Sequence, residues 1–103
     1  PVNSAVLQSR IPANLRDADA ERVDLSGANL RKVNLVRANL RNADLQQANL
    51  LGAWLLKADL SGANLRGAVI SAEQLAQAGS LEGALLPTSL AEPAEEILSP
   101  IVA

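Results

Sequence analysis

The sequence lacks the residues on which most enzymes and cofactor sites depend. Its 103 residues include no His, Cys, Met, Phe or Tyr, and Trp54 is the single aromatic residue. Without Cys there is no disulfide framework, zinc–thiolate site or iron–sulfur cluster. Without His there is no Ser–His or Cys–His nucleophile pair and no imidazole ligand. No apolar run is longer than a few residues, which excludes a membrane-spanning helix and direct membrane insertion. We therefore expect no enzyme, no metal and no cofactor.

Charge is low overall but unevenly distributed. The formal net charge is −2. Residues 13–72 hold eight basic and six acidic residues, whereas residues 73–103 hold five Glu and no base. The basic residues are scattered among acids, and no aromatic side chain except Trp54 could stack on a base. We therefore expect no nucleic-acid binding.

The chain does contain a five-residue repeat. Twelve consecutive units run without a gap from Ala13 to Ala72. Position three is Leu in ten units, position one is Ala in ten, and position two is Asn or Asp in ten. Positions four and five are mixed and mostly polar. Because internal repeats of this regularity indicate stacked structural units, the sequence predicts a solenoid.

A period of five excludes the two simplest structures. In an α-helix, side chains five residues apart circle the axis and form no apolar stripe. In a continuous strand, an odd period sends successive leucines to opposite faces. Within one unit, however, positions one and three are apolar and position two is polar, as in a short strand. We therefore expect each unit to form one short side, followed by a corner at position five.

This A-(D/N)-L-x-x pattern resembles the pentapeptide-repeat family. The resemblance covers 13–72 and implies an all-β solenoid, a right-handed quadrilateral β-helix with four units in each coil. It also implies that positions one and three lie inside the coil and the other positions outside. Twelve units would then make about three coils, followed by a partial last coil and a short C-terminal capping helix.

The ends of the chain do not follow the repeat. We expect an N-terminal cap or extension over 1–12, a short helix over 72–78, two further repeat-like sides over 79–88, and a tail over 89–103. Ser71 and Gln74 have the spacing of a capping box, and Gly79 is a candidate stop signal. The string QLAQAGSLEGALLP resembles the C-terminal ending of cyanobacterial family members. Because the chain starts at Pro1, it is expected to be a processed protein or an excised segment.

One outward-facing set of residues breaks the polar pattern. Residues twenty apart should stack on one side of a four-sided coil, which brings Val36, Trp54 and Leu56 together and Leu51 just before the corner. These four residues are the candidate interaction patch, with Trp54 as its anchor. Two interpretations remain open. Either the patch contacts a protein partner or a second copy of the chain, or a terminal segment covers it.

Two functions follow from these patterns. The first is a non-enzymatic structural scaffold or protein-interaction module, for example as an end domain of a larger protein. The alternative is a DNA mimic that binds DNA gyrase, as quinolone-resistance members of the family do through a long acidic rod. The short, mildly basic repeat region favours the first. A soluble, cytoplasmic location is slightly favoured, and the biochemical role and the partner are otherwise unknown.

Overall fold

A computed structural model describes residues 11–91. Of the predicted N-terminal cap, only Ile11 and Pro12 fall in this range, and Ile11 packs against the hydrophobic core. Of the predicted tail, only residues 89–91 do. The expectations for 1–10 and 92–103 lie outside the described residues.

Parallel bridges join residues that are twenty positions apart, so that each turn of the chain lies on the one before. Asn14 pairs with Asn34, and Asn34 pairs with Trp54. The Leu35 N–H donates to the Trp54 carbonyl at 2.8 Å across the same pair. Each bridge involves a single residue, and residues 11–91 contain no longer strand.

With five residues to a unit, this spacing gives four sides. The first side contains 13–17, 33–37 and 53–57, the second 18–22, 38–42 and 58–62, the third 23–27, 43–47 and 63–67, and the fourth 28–32, 48–52 and 68–72.

The interior of the coil is filled by positions one and three. Every position-three residue from Leu15 to Ile70 is buried, and Leu45 at the centre is fully inaccessible. Position one is buried from Ala38 onward, with Ala or Val beside each Leu. Because small Ala alternates with large Leu, the core packs without any aromatic ring.

Each corner is a tight turn built from positions four and five. The N–H of position one donates to the carbonyl of position three in the preceding unit, as from Ala18 to Leu15 at 3.0 Å. All eleven position-five residues from Asp17 to Gly67 have positive φ, and seven of them are not glycine. A hydrogen-bonded turn with positive φ at its third residue fits type II. The repeated turn therefore holds ordinary side chains in the left-handed region.

The Asn and Asp residues at position two hold these turns. In all ten units that have one, its side-chain oxygen accepts a hydrogen bond from the backbone N–H two residues later, at the turn. Asn and Asp are the residues suited to this local bond. This local bond to the turn explains the Asn or Asp preference at position two.

The helix α1 (Ala72–Gln77) takes the place of one side of the next coil. Leu75 is buried and lies twenty residues after Leu55, so it continues that interior column. The Gln74 side-chain amide donates to the carbonyls of Leu50 at 2.6 Å and Ala53 at 2.9 Å. At the other end of α1, the Gln77 carbonyl accepts from the Lys57 N–H at 2.8 Å. The helix thus supplies hydrogen bonds at both ends of the side that it replaces.

The helix α1 ends just before Gly79, but Gly79 does not act as the left-handed stop residue that its position suggested. The cap residue is Ala78, in an extended conformation, and Gly79 is not in the left-handed region. A Cβ at Gly79 would lie 3.0 Å from the Lys57 carbonyl oxygen. Glycine is therefore needed for the close approach of two backbones and not for a positive φ.

After α1 the chain resumes the coil with a shifted spacing. Asp59 pairs with Ser80 and Asn64 with Leu85, a spacing of twenty-one residues. Ser71 then pairs with Ala91 at the original spacing of twenty. The side formed by α1 therefore contains one residue more than a repeat unit. One residue fewer separates Leu85 from Ala91 than separates Asn64 from Ser71, so the spacing of twenty returns at the fourth side.

Candidate functional site

The four patch residues lie on the outer surface at adjoining parts of two coils. Trp54 is 62% exposed, Leu56 49% and Leu51 39%, while Val36 is partly buried. Trp54 and Leu56 belong to the same unit, Val36 lies twenty residues before Leu56, and Leu51 precedes the corner into that unit. Trp54 is the most exposed large apolar residue of 11–91. We call this set the Trp54 patch.

Trp54 also removes a hydrogen bond that the fold uses elsewhere. Its indole has no oxygen to accept from the Leu56 N–H, and within residues 11–91 this N–H has no acceptor. In the preceding unit on the same side, Asn34 accepts from the Val36 N–H at 3.0 Å. The Trp at position two therefore gives up the local turn bond and exposes an aromatic ring.

The charges are segregated between opposite sides of the coil. The first and fourth sides carry five basic residues (Arg16, Arg31, Lys32, Arg37, Lys57) and one acid, Asp17. The second and third sides carry five acids (Asp19, Glu21, Asp24, Asp44, Asp59) and three bases (Arg22, Arg41, Arg66). The small positive net charge of the repeats is thus the sum of a basic half, formed by the first and fourth sides, and an acidic half, formed by the second and third sides. The Trp54 patch lies in the basic half.

Two lysines flank the patch. The Lys32 side chain lies against Gly52, since a Cβ at Gly52 would be 3.2 Å from Lys32 Cγ. This places Lys32 on the corner between Leu51 and Trp54. Lys57 lies directly after Leu56, at the opposite corner. Neither lysine forms an ion pair with another of residues 11–91.

The ion pairs elsewhere on the surface are exposed. Arg37 donates from Nε to Asp17 Oδ1 at 2.8 Å and from Nη2 to Oδ2 at 3.3 Å. This bidentate bond lowers the pKa of Asp17 and raises the pKa of Arg37. On the second side, the Ser61 hydroxyl donates to Asp59 at 2.6 Å and lowers the pKa of that carboxyl. Each of these shifts favours the ionised form of its own group.

A groove beside the fourth side has a lining with few reactive groups. It has a volume of about 250 Å³ and is lined by Gly67, Ala68, Val69, Pro87, Thr88, Ser89, Leu90 and Ala91. Its lining contains no charged side chain. Within residues 11–91, no group of His, Cys, Asp or Glu could hold a metal ion. Nor does any buried side-chain polar atom of that range lack a hydrogen-bond partner.

The five-residue repeat placed the four patch residues on one outer surface, but it did not by itself reveal the segregation of charge around them. That segregation appears only when the twelve units are assigned to the four sides, with every fourth unit on the same side. Position two takes Asn or Asp because a short polar side chain there can bond to nearby backbone. The structure identifies the donor of that bond as the turn N–H two residues later.

The repeat, the coil and the polar turns define a solenoid repeat protein of the β-helix class. The sequence model described as Pentapeptide repeats (8 copies) matches residues 13–47 and 34–71. The chain therefore belongs to the pentapeptide repeat family, and the predicted resemblance is confirmed. Proteins of this family fold as right-handed quadrilateral β-helices and are in general structural or interaction modules without catalytic activity. No curated protein sequence matches the chain.

Two solved structures of pentapeptide repeat proteins are similar to it. One, from the cyanobacterium Cyanothece 51142, is 30% identical with a TM-score of 0.46, and the match covers 79% of this chain and 50% of that one. The other, from Nostoc Pcc 7120, is 25% identical with a TM-score of 0.46, covering 84% of this chain and 90% of that one. This chain thus spans half the length of the Cyanothece protein. Within residues 11–91, no helix has the length and apolar character needed to cross a membrane.

Proposed function

We propose that this chain is a non-enzymatic interaction module and that the Trp54 patch is its contact surface for a protein partner. Trp54 carries the proposal. It occupies a position where ten of twelve units have Asn or Asp, it is 62% exposed, and it leaves the Leu56 N–H without the turn bond. Residues that break a local structural rule without benefit to the fold concentrate at functional sites. Exposed Trp is also the side chain most enriched among binding hot spots.

The surroundings of the patch favour a protein partner over other ligands. The surface is apolar at its centre, with Leu51 and Leu56 exposed beside the ring. Lys32 and Lys57 form a basic rim. An apolar centre with a charged rim is the usual arrangement of a protein interface, whereas small molecules bind in enclosed pockets. The alternative DNA-mimic function has no comparable support, because acidic residues dominate only half of the coil.

We further propose three full coils, 13–32, 33–52 and 53–72, and a partial fourth coil in which α1 acts as a cap. The bridges at twenty-residue spacing and the buried Leu75 support this division. A cap is needed because the last coil of a solenoid otherwise exposes its interior leucines and unpaired backbone groups. The patch lies on the second and third coils, between the first coil below and α1 above.

The proposal can be tested with a photo-crosslinking residue. Leu56 is replaced by p-benzoylphenylalanine, and the purified chain is irradiated in extract of the source cells. The matched control has the same replacement at Arg66, which is exposed at position four of the third side in the same coil. We expect a discrete crosslinked protein from position 56 that is absent from position 66. It should disappear when Trp54→Asn is added, because that change removes the anchor.

Equal crosslinking at both positions, or survival of the product in the Trp54→Asn variant, would overturn the assignment of the contact surface. Circular dichroism of each variant checks that the coil is intact, so that a lost crosslink reports the surface and not the fold.

A further inference from the structure

We infer that the Trp54 patch binds the chain's own C-terminal segment, 92–103, as an intramolecular ligand that a protein partner must displace. The inference rests on the proposed function, since it names the regulation of the same surface. Three features support this binding: the attachment point at Ala91, the length of the segment, and the charge and apolar character of the segment and the surface.

The first step is the position of the attachment point. The Ala91 N–H donates to the Ile70 carbonyl at 2.7 Å, and Ala91 pairs with Ser71. Ser71 is position four of the fourth side, just before the corner into the first side. The described coil therefore ends at Ala91, next to the corner between the fourth and first sides. Trp54 lies just around that corner and about two strand spacings, ~10 Å, below the level of Ala91, because Ser71 is nearly one coil beyond Trp54 and Ala91 is one coil beyond Ser71.

The C-terminal segment is long enough to extend from Ala91 to the Trp54 patch. Twelve residues follow Ala91. An extended chain covers up to about 3.3–3.6 Å per residue, so the segment can span ~40 Å. The patch occupies parts of only two coils, so the segment is long enough to cover it in several conformations. The helix α1 lies on the first side between the level of Ala91 and that of Trp54, and its single charged residue, Glu73, is exposed.

The third step is complementary chemistry. The segment has three acids, Glu92, Glu95 and Glu96, and no base, followed by Ile97, Leu98, Ile101 and Val102. The surface around the patch is basic, and its Lys32 and Lys57 form no ion pair with another described residue. Glutamates against the lysines would align the aliphatic residues with Trp54 and Leu56. Charge complementarity gives orientation, and burial of apolar surface gives affinity.

Attachment to the same chain makes even a weak contact effective. A short linker holds the segment at an effective concentration in the millimolar range, so affinity of that order suffices for occupancy. A partner with an acidic and aliphatic segment of its own would compete for the same surface. The tail therefore sets a threshold for partner binding.

The test uses the full chain and the fluorescence of its single Trp. The charge-reversal variant Glu92→Lys/Glu95→Lys/Glu96→Lys should shift the Trp54 emission to longer wavelength and raise its quenching by acrylamide. Ile97→Ser/Leu98→Ser should do the same. Adding Lys32→Glu/Lys57→Glu to the charge-reversal variant should restore the original emission, whereas Arg66→Glu on the third side should not. In the parent chain, about 1 M salt should weaken the protection, because it screens exposed charge pairs.

Three results would overturn the inference: identical Trp54 emission in the parent and in both tail variants, restoration by Arg66→Glu, or protection that fades on dilution, which would assign the occupant to a second copy. The position-56 crosslinker separates this inference from the proposed function. Irradiated alone, the purified chain should crosslink position 56 to residues 92–103 of the same molecule. If position 56 crosslinks to a partner protein but not to residues 92–103, the tail inference is rejected and the partner contact stands. If position 56 crosslinks to residues 92–103 but to no partner, the proposed function is rejected and the tail inference stands.

Discussion

At the residue scale, the interior positions control whether the coil forms. Leu45 is fully inaccessible at the middle of the stack. Leu45→Arg places an unpaired cation among leucines, and we expect it to lower the free energy of unfolding by about 3 kcal/mol or more. Urea denaturation measures the change. The control Gln47→Arg adds the same side chain two residues later, at an exposed corner where Arg22 and Arg37 already adopt positive φ in other units, and should leave stability nearly unchanged. Equal stability of Leu45→Arg would contradict the inward position of the leucines.

Replacing Trp54, unlike replacing Leu45, is expected not to destabilise the fold. Trp54→Asn supplies an oxygen that can accept from the Leu56 N–H, as Asn34 does for Val36 at 3.0 Å. We expect stability to be unchanged or raised by about 0.5–1 kcal/mol, the usual contribution of one such hydrogen bond. Thermal unfolding followed by circular dichroism measures it. A large loss of stability would mean that Trp54 is a structural residue and that the contact-surface assignment has no basis.

Asp59 makes part of the stability depend on pH. The Ser61 hydroxyl holds the pKa of Asp59 below its ordinary value of 3.8. Because the folded-state pKa is lower than the unfolded one, the carboxylate stabilises the fold above that ordinary value. The contribution is lost as pH falls through it to the folded-state pKa. Ser61→Ala should move the pKa of Asp59 up towards its ordinary value, as a carboxyl carbon NMR titration would record. Ser89→Ala removes an exposed hydroxyl on another part of the coil and should leave the Asp59 titration in place.

At the element scale, one side chain joins α1 to the coil. The Gln74 amide reaches the carbonyls of Leu50 and Ala53, and its oxygen accepts from the Ser71 N–H at 2.9 Å. Gln74→Ala leaves the Ala53 carbonyl and the Ser71 N–H without these partners and removes half of the capping box, whereas the Leu50 carbonyl still accepts from the Ala53 N–H at 2.9 Å. We expect a loss of about 1–3 kcal/mol, since unsatisfied polar groups at partly buried sites cost that much. Gln77→Ala, in the same helix and exposed, is the control. If the two variants unfold together, the Gln74 bridge contributes nothing to stability.

The sequence predicted α1 more successfully than its role in the coil. Ser71 and Gln74 have the capping-box spacing, and the structure forms both bonds of the box. What the pattern did not contain is the coil below the helix, because the contacts of Gln74 with Leu50 and Ala53 join residues more than twenty apart. The same limit applies to Gly79, which is required by the Lys57 backbone opposite it. Local signals predict an element, whereas its attachment depends on residues that are distant in sequence.

At the scale of the whole molecule, the repeat gave most of the architecture. Ten leucines at the third position of a five-residue repeat predicted the interior, because only a corner in each unit keeps them all inward. The positive φ of non-glycine residues such as Asp17 and Arg37 was not predictable from residue type. Those residues pay the strain of the left-handed region because the stacked coils over-determine the turn. The patch was predictable in its members, but its cover was not, since the residues that would cover it do not repeat.

The distribution of charge over the whole coil also bears on the gyrase alternative. The basic half contains five bases and one acid, and the acidic half is partly neutralised by Arg22, Arg41 and Arg66. A DNA mimic needs a continuous negative field to attract a basic enzyme surface. We expect no inhibition of gyrase supercoiling at micromolar concentration. A strong inhibition that weakens with salt would reverse our ranking of the two functions.

The twenty-residue bridge spacing also constrains how such a gene can change length. Inserting one pentapeptide between 37 and 53 leaves every residue in an acceptable turn position, but it rotates all later units by a quarter of the circumference. Trp54 and Leu56 would then lie on a different side from Val36, and Lys57 would leave the basic half. Inserting four pentapeptides restores the alignment of sides, although it lengthens the rod by a whole coil. The fold is thus tolerant of duplications in steps of five, whereas a surface that crosses coils is inherited intact only in steps of twenty.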